Sequence, residues 1–137
     1  MRAARVLVFL LLAILSLAAK DDTGQKKDEA CYVNYPNIPG ELLLENDRIV
    51  VQKFVIQPGQ WEGIHSHPGN QLYVHIKGGK WAVHYGDKET VSEDPDGSVG
   101  WFPKVDLSEK HQSGNIGDKP IELLWITLKP CGSAAKP

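Results

Sequence analysis

Short runs of apolar residues, interrupted at alternate positions by polar ones, fill the middle of the chain and predict β-strands. Successive side chains of a strand point to opposite faces of a sheet, so this alternation indicates strands with one buried face. Residues that favour turns follow the runs, as at Pro58-Gly59 and Gly86-Asp87. The predicted strands are RIVVQKFVIQ, QLYVHIK, KWAVHY, SVGWF and IELLWITL.

Gly78 and Gly79 separate two of these runs and predict a two-residue hairpin loop, because glycine adopts positive φ at little cost. The segment ELLLEN fits either a strand or one helical turn, and no other stretch after the N-terminal region has a helical apolar stripe. We therefore predict an all-β fold with little or no helix. It would be an antiparallel sandwich or small barrel of about seven to nine strands.

The N-terminus has the layout of a secretory signal peptide. Arg2 and Arg5 precede an apolar run over residues 6–15, and small residues follow it. The run is shorter than the roughly 20 residues of a membrane-spanning helix. We expect a signal peptide over 1–19, a disordered linker over 20–30, one folded domain over 31–131 and a flexible tail over 132–137. The protein would then be secreted, or lie in the lumen of the secretory pathway, in an extracellular or periplasmic space and without a membrane attachment.

The charge of the chain argues against two classes of partner. It has 15 basic and 17 acidic residues, and loss of Arg2 and Arg5 with the signal peptide lowers the net charge from −2 to −4. No basic cluster larger than Lys26-Lys27 remains. Nucleic acid and anionic membranes are therefore not expected partners.

The two cysteines, Cys31 and Cys131, lie near the two ends of the predicted domain. In an oxidising compartment they predict one disulfide, which would stabilise the fold by roughly 4 to 5 kcal/mol in the chain-entropy model. Two free thiols, or a pair that binds metal, are the alternatives.

The histidines are concentrated in one motif. Gly59 is followed by five residues, His65, one residue, His67, three residues, Gln71, six residues and Gly78. This spacing resembles the first signature motif of the cupin superfamily, except that the family usually has Glu at the position of Gln71. The resemblance implies a cupin-type antiparallel β-barrel, or jelly roll.

A second motif of that family is matched only at its two ends. Gly97, five residues and Pro103 match its start, and His111, three residues and Asn115 match its end. The segment KVDLSEK between them is longer than the family pattern, and we interpret it as a loop insertion of about three residues between two strands.

These motifs predict a metal site. Residues two apart on a strand share a face, so His65 and His67 would point the same way, and the resemblance brings His111 beside them from a distant strand. Neutral imidazoles bind Fe²⁺, Mn²⁺, Zn²⁺, Ni²⁺ or Cu²⁺. Gln71 would complete the ligand set or support it through a hydrogen bond. The alternative is a group of hydrogen-bonded interior histidines in a barrel that binds no metal.

Parity along the strand QLYVHIK adds two residues to the site. If Gln71 points inward, Tyr73 and His75 do too, and we assign them to substrate binding. The alternative for His75 is an interior histidine with a hydrogen-bond partner. No sequence pattern indicates a serine triad or a calcium loop.

Two functions follow from the resemblance, and the residues leave open whether the protein is an enzyme. The first is a dioxygenase-like oxidoreductase that acts on a small chelating organic substrate. The second is a non-catalytic protein that binds a small carboxylate ligand through its metal. A homodimer is expected in either case, because RIVVQKFVI and IELLWITL are apolar on both faces.

Overall fold

The computed structural model describes residues 31–130. The predicted signal peptide (1–19), linker (20–30) and tail (132–137) lie outside this range, as does Cys131, so the predicted disulfide remains a prediction. Cys31 is fully buried. Within the described range, no helix is long and apolar enough to cross a membrane.

Nearly all regular structure is β, in the strands β1 Glu41–Glu45, β2 Ile49–Ile56, β3 Gln71–Lys77, β4 Gly79–Tyr85, β5 Lys88–Asp94, β6 Val99–Phe102, β7 His111–Asn115 and β8 Ile121–Leu128.

The strands form two antiparallel sheets. A five-stranded sheet has the order β1-β2-β8-β3-β6, and a three-stranded sheet has the order β5-β4-β7. The all-β prediction is confirmed, and ELLLEN forms strand β1. A 3-10 turn, Leu107–Glu109, lies in the segment interpreted as a loop insertion, between β6 and β7.

The central strand of the larger sheet, β8, and its neighbour β2 show why alternation predicted them. β2 and β8 pair along their whole length, from Ile49 opposite Leu128 to Ile56 opposite Ile121. Every second residue of β8, from Ile121 to Thr127, is buried. Three of these inward side chains, Ile121, Leu123 and Trp125, pack in one core with residues of the N-terminal segment. The core comprises Val33, Tyr35, Ile38, Phe54, Ile56, Trp81, Ile121, Leu123 and Trp125.

The predicted hairpin at Gly78-Gly79 is wrong. β3 pairs with β6 and β8, whereas β4 pairs with β5 and β7, so the chain passes from one sheet to the other at this point. Neither glycine has positive φ. A Cβ at Gly78 would lie 1.9 Å from the carbonyl oxygen of Asp94, so glycine is required by the close approach of two backbones and not by a turn.

β5 was missed by the sequence prediction. Its residues KETVSED are exposed or half-buried, so no alternating apolar pattern marks it. Its register with β4, from Gly79 opposite Asp94 to Tyr85 opposite Lys88, is held by pairing along the whole strand. Backbone pairing with a stronger neighbour therefore decides this strand.

An irregular segment over residues 59–67 runs along the free side of β7. Its backbone N–H groups bond to β7 carbonyls at three points: Gly59 to Asn115 (2.8 Å), Glu62 to Ser113 (2.9 Å) and His65 to His111 (3.0 Å). From Glu62 to His65 the segment advances three residues while β7 advances two, so it has one extra residue there. Gly63, with φ of 85°, lies within this stretch. His65 and His67 were expected on a regular strand. They lie instead in this irregular segment, which isolated backbone hydrogen bonds join to its neighbours.

Candidate metal centre

Backbone pairing brings the three histidines of the two motifs together. The N–H of His65 bonds to the carbonyl of His111, and His67 pairs in both directions with Val105 of the inserted loop (3.0 and 3.2 Å). The ring centroids lie 4.7 Å apart for His65 and His67, and 4.9 and 5.2 Å from these rings to His111. One nitrogen of each ring lies within 4.8 Å of the others, and all three residues are buried, so this group can hold a metal ion.

Hydrogen bonds define the protonation of the first two rings. Nδ1 of His65 lies 2.8 Å from the carbonyl oxygen of Gly63, and Nδ1 of His67 lies 3.0 Å from Oε1 of Gln71. A carbonyl oxygen only accepts, so each Nδ1 carries the proton and each Nε2 has a lone pair. The two Nε2 atoms lie 2.8 Å apart. Two lone pairs at this distance repel unless a proton or a metal ion lies between them.

Burial disfavours the proton between the two Nε2 atoms and so favours the metal ion. Burial lowers the pKa of His65 to about 4, and burial together with the charge of His65 lowers the pKa of His67 to about 3. Burial also lowers the pKa of His111, against a backbone hydrogen bond to His84 that raises it. All three rings are therefore neutral near pH 7, which is the state that binds metal. Nδ1 of His111 is buried and has no hydrogen-bond partner among the described residues, so the donor set fits a divalent ion.

Gln71 contacts a histidine and not the centre of the group. Its side chain is fully buried, and Oε1 accepts the Nδ1 proton of His67. Its Nε2 donates to the hydroxyl of Thr127 at 2.7 Å. Both ends of the amide are thus engaged, which matches the supporting alternative stated from the sequence. Such a bond holds the ring orientation and leaves the lone pair of Nε2 directed at the metal.

Glu62 is a residue of this site that the sequence analysis missed. It is 1% exposed, and its Oε2 lies 3.9 Å from Nε2 of His65. Ser113 donates its hydroxyl proton to the same carboxyl oxygen. Burial raises the pKa of Glu62 to about 8, against hydrogen bonds from Ser113 and Tyr35 that lower it. The motif spacing assigns no role to this position, and the sequence carries no signal that would have identified it.

A cavity of about 340 Å³ opens beside the histidines inside the barrel. His67, His111 and Glu62 line one part of it, and Tyr73 and His75 line it as well, as strand parity predicted. Nδ1 of His75 bonds to the hydroxyl of Ser98 at 2.9 Å. Whether Tyr73 and His75 bind substrate stays a prediction. The aromatic part of the wall consists of Tyr35, Tyr73, Trp81, Phe102 and Trp125.

Two solved structures are similar to this barrel. A cupin domain from Bordetella pertussis Tohama I aligns at 19% identity with a TM-score of 0.57, covering 69% of this chain and 95% of its own. A conserved protein with a double-stranded β-helix domain, from Klebsiella pneumoniae subsp. pneumoniae MGH 78578, aligns at 24% identity with a TM-score of 0.51, covering 79% and 89%. No protein-family model and no curated protein matches the sequence.

At these identities the likeness shows the fold. The chain has the fold of the cupin superfamily, a single small double-stranded β-helix, and the fold predicted from the first motif is confirmed. The group formed by His65, His67 and His111 can hold a metal ion.

Proposed function

We propose that this protein is a metal-dependent cupin in which His65, His67 and His111 bind one divalent ion. The observation that carries the proposal is the 2.8 Å separation of two Nε2 atoms whose rings are both protonated at Nδ1. Three neutral imidazoles suit Fe²⁺, Mn²⁺, Zn²⁺, Ni²⁺ or Cu²⁺ and leave coordination positions open. When bound, the ion supplies Lewis acidity or, for iron, copper or manganese, an electron path between substrate and O₂.

The lining and size of the cavity support a proposal for the substrate class. Its wall is largely aromatic, and the ring centroids of Phe102 and Trp125 lie 4.4 Å and 4.8 Å from that of His67, both in tilted contacts. A volume of about 340 Å³ suits a small organic molecule. Polar groups lie at the metal-binding histidines and also around His75, where Ser92 and Asp94 line the cavity, so a flat molecule with oxygen atoms at its metal-facing end and a further polar group at its other end fits. We propose a dioxygenase-like oxidation of such a chelating substrate.

A second function is favoured by the charge of the histidine set. The imidazoles and the Gln71 amide bring no negative charge to the ion, so even one nearby carboxylate leaves a positive charge that attracts an anionic ligand. We therefore propose, as the alternative function, a non-catalytic protein that binds a small carboxylate. Iron with O₂ uptake on catechols or diketones supports the enzyme, and zinc with tight carboxylate binding and no turnover supports the binding protein.

The metal centre itself is tested by measuring bound metal and affinity in the purified protein. His67→Ala removes a central ligand and should abolish stoichiometric binding. His84→Ala is the matched control, because His84 is half-buried, pairs with Glu89 at 2.7 Å and is not part of the group. Equal metal content in both variants would contradict the proposal.

Secretion and dimerisation belong to the same proposal. The sequence pattern of residues 1–19 supports export, and mass spectrometry of the mature N-terminus tests it. The outer face of the larger sheet carries exposed apolar side chains, including Val99 (64% exposed) and Trp101 (53%) on β6. Such a face suits a second copy of the chain.

A further inference from the structure

We propose that Glu62 supplies the negative charge of the metal centre, a role that neither the histidines nor Gln71 can fill. The inference rests on the proposed function, because it needs an ion at the three histidines. Among residues 31–130, Glu62 is the only carboxyl group that is buried. It lies next to the one group in that range that can hold a metal ion.

The contacts of Glu62 leave one direction for a cation. Its carboxyl accepts hydrogen bonds from the hydroxyls of Ser113 and Tyr35, and Tyr35 in turn accepts the Trp125 indole N–H at 2.6 Å. These donors orient the carboxyl group, as donors behind metal-binding carboxylates commonly do. The only ion-pair partner within reach in the described part of the chain is His65, at 3.9 Å.

His65 does not act as that cation. Its Nδ1 proton is donated to Gly63, so the atom that faces Glu62 is the Nε2 lone pair. An electron-rich nitrogen and a carboxyl oxygen thus face each other in a buried space. Two ligand atoms that are each about 2.1 Å from one ion lie at most about 4.2 Å apart. The separation of 3.9 Å is within this limit for His65, whereas Glu62 is not in the group whose ligand atoms all lie within 4.8 Å of one another, so the carboxylate would act on the ion from the side of His65.

The backbone makes this placement a property of the fold. The N–H of Glu62 donates to the carbonyl of Ser113 at 2.9 Å, and two residues earlier on β7 the carbonyl of His111 accepts the N–H of His65. The same pair of neighbouring segments therefore positions the carboxyl group, its hydroxyl donor and two of the histidines. Glu62 enters the site from the segment before the histidine pair.

The test is the affinity of the folded protein for Zn²⁺ and Co²⁺, measured by competition with a chelating dye. Glu62→Gln keeps the shape and removes the charge, and it should weaken both affinities by about tenfold or more. The visible absorption of bound Co²⁺ should shift in the same variant. Glu93→Gln, an exposed carboxyl on β5, is the matched control and should change neither. Circular dichroism confirms that each variant is folded.

A folded Glu62→Gln protein with an affinity within about twofold of the unchanged protein overturns the inference. If that variant does not fold, Ser113→Ala replaces it, because it keeps the carboxyl group and removes one donor. Ser113→Ala should weaken metal binding severalfold, and an unchanged affinity likewise overturns the inference. An unsubstituted protein that is folded and binds neither metal refutes the metal centre itself, and the role of Glu62 with it.

Discussion

Acid should destabilise the metal-free protein through its buried histidines. The pKa of His65 is about 4 and that of His67 about 3 in the folded state, against about 6.5 in the unfolded chain. Between these values the unfolded state binds more protons, so stability is present above pH 6.5 and is lost as the pH falls. When the pH falls from 6.5 to 5.5, each ring lowers the free energy of unfolding by about 1 kcal/mol, and the pair lowers it by about 2 kcal/mol.

The contribution of Glu62 to the pH dependence of stability has the opposite sign to that of the histidines. Its folded pKa of about 8 lies above the unfolded value of 4.5, so its contribution is full below pH 4.5 and is lost as the pH rises through 8. Lowering the pH from 6.5 to 5.5 therefore returns about 1 kcal/mol. The pKa values of His75 and His111 are lowered too, and they act in the same direction as the other two histidines. The net result is a loss of at least about 1 kcal/mol.

Urea unfolding in EDTA at pH 5.5 and 6.5 measures this difference. Glu62→Gln removes the compensating group, so its stability should fall by about 1 kcal/mol more than that of the unsubstituted protein over the same interval. Glu93→Gln should behave like the unsubstituted protein. Equal pH dependence in the protein and its Glu62→Gln variant, or no loss of stability at pH 5.5, would refute the reasoning.

Three further predictions concern Gln71, Gly78 and Trp101. Gln71→Leu leaves the Thr127 hydroxyl and the His67 ring N–H without their partner. It should lower the free energy of unfolding by about 2 to 5 kcal/mol and weaken metal binding by about 10- to 100-fold, measured by urea unfolding and equilibrium dialysis; a neutral result would contradict the supporting role. Gly78→Ala places a Cβ against a backbone carbonyl and should cost about 3 kcal/mol or more, so an unchanged melting temperature would speak against the sheet crossing. Trp101→Asp on the exposed outer face should shift a dimer to monomer in sedimentation, and a monomeric unsubstituted protein would rule out the dimer.

The sequence by itself determined the properties that depend on local periodicity. Alternation in IELLWITL identified β8, and the period of two placed Tyr73 and His75 on the inner face with Gln71. The spacing of His65 and His67 placed their rings together even though no regular strand forms there. These features follow from backbone geometry over a few residues, which the order of residues expresses directly.

Only the tertiary structure decided the features that depend on distant segments. The hairpin prediction failed at Gly78 because β3 pairs with β6 and β8, whereas β4 pairs with β5 and β7. A local turn sequence alone does not determine which strands pair. Gln71 contacts Nδ1 of His67 because Thr127, on the neighbouring strand β8 but far along the chain, accepts its N–H. Glu62 belongs to the site because pairing with β7 carries it there. Each outcome depends on contacts between residues far apart in the chain, which periodicity does not specify.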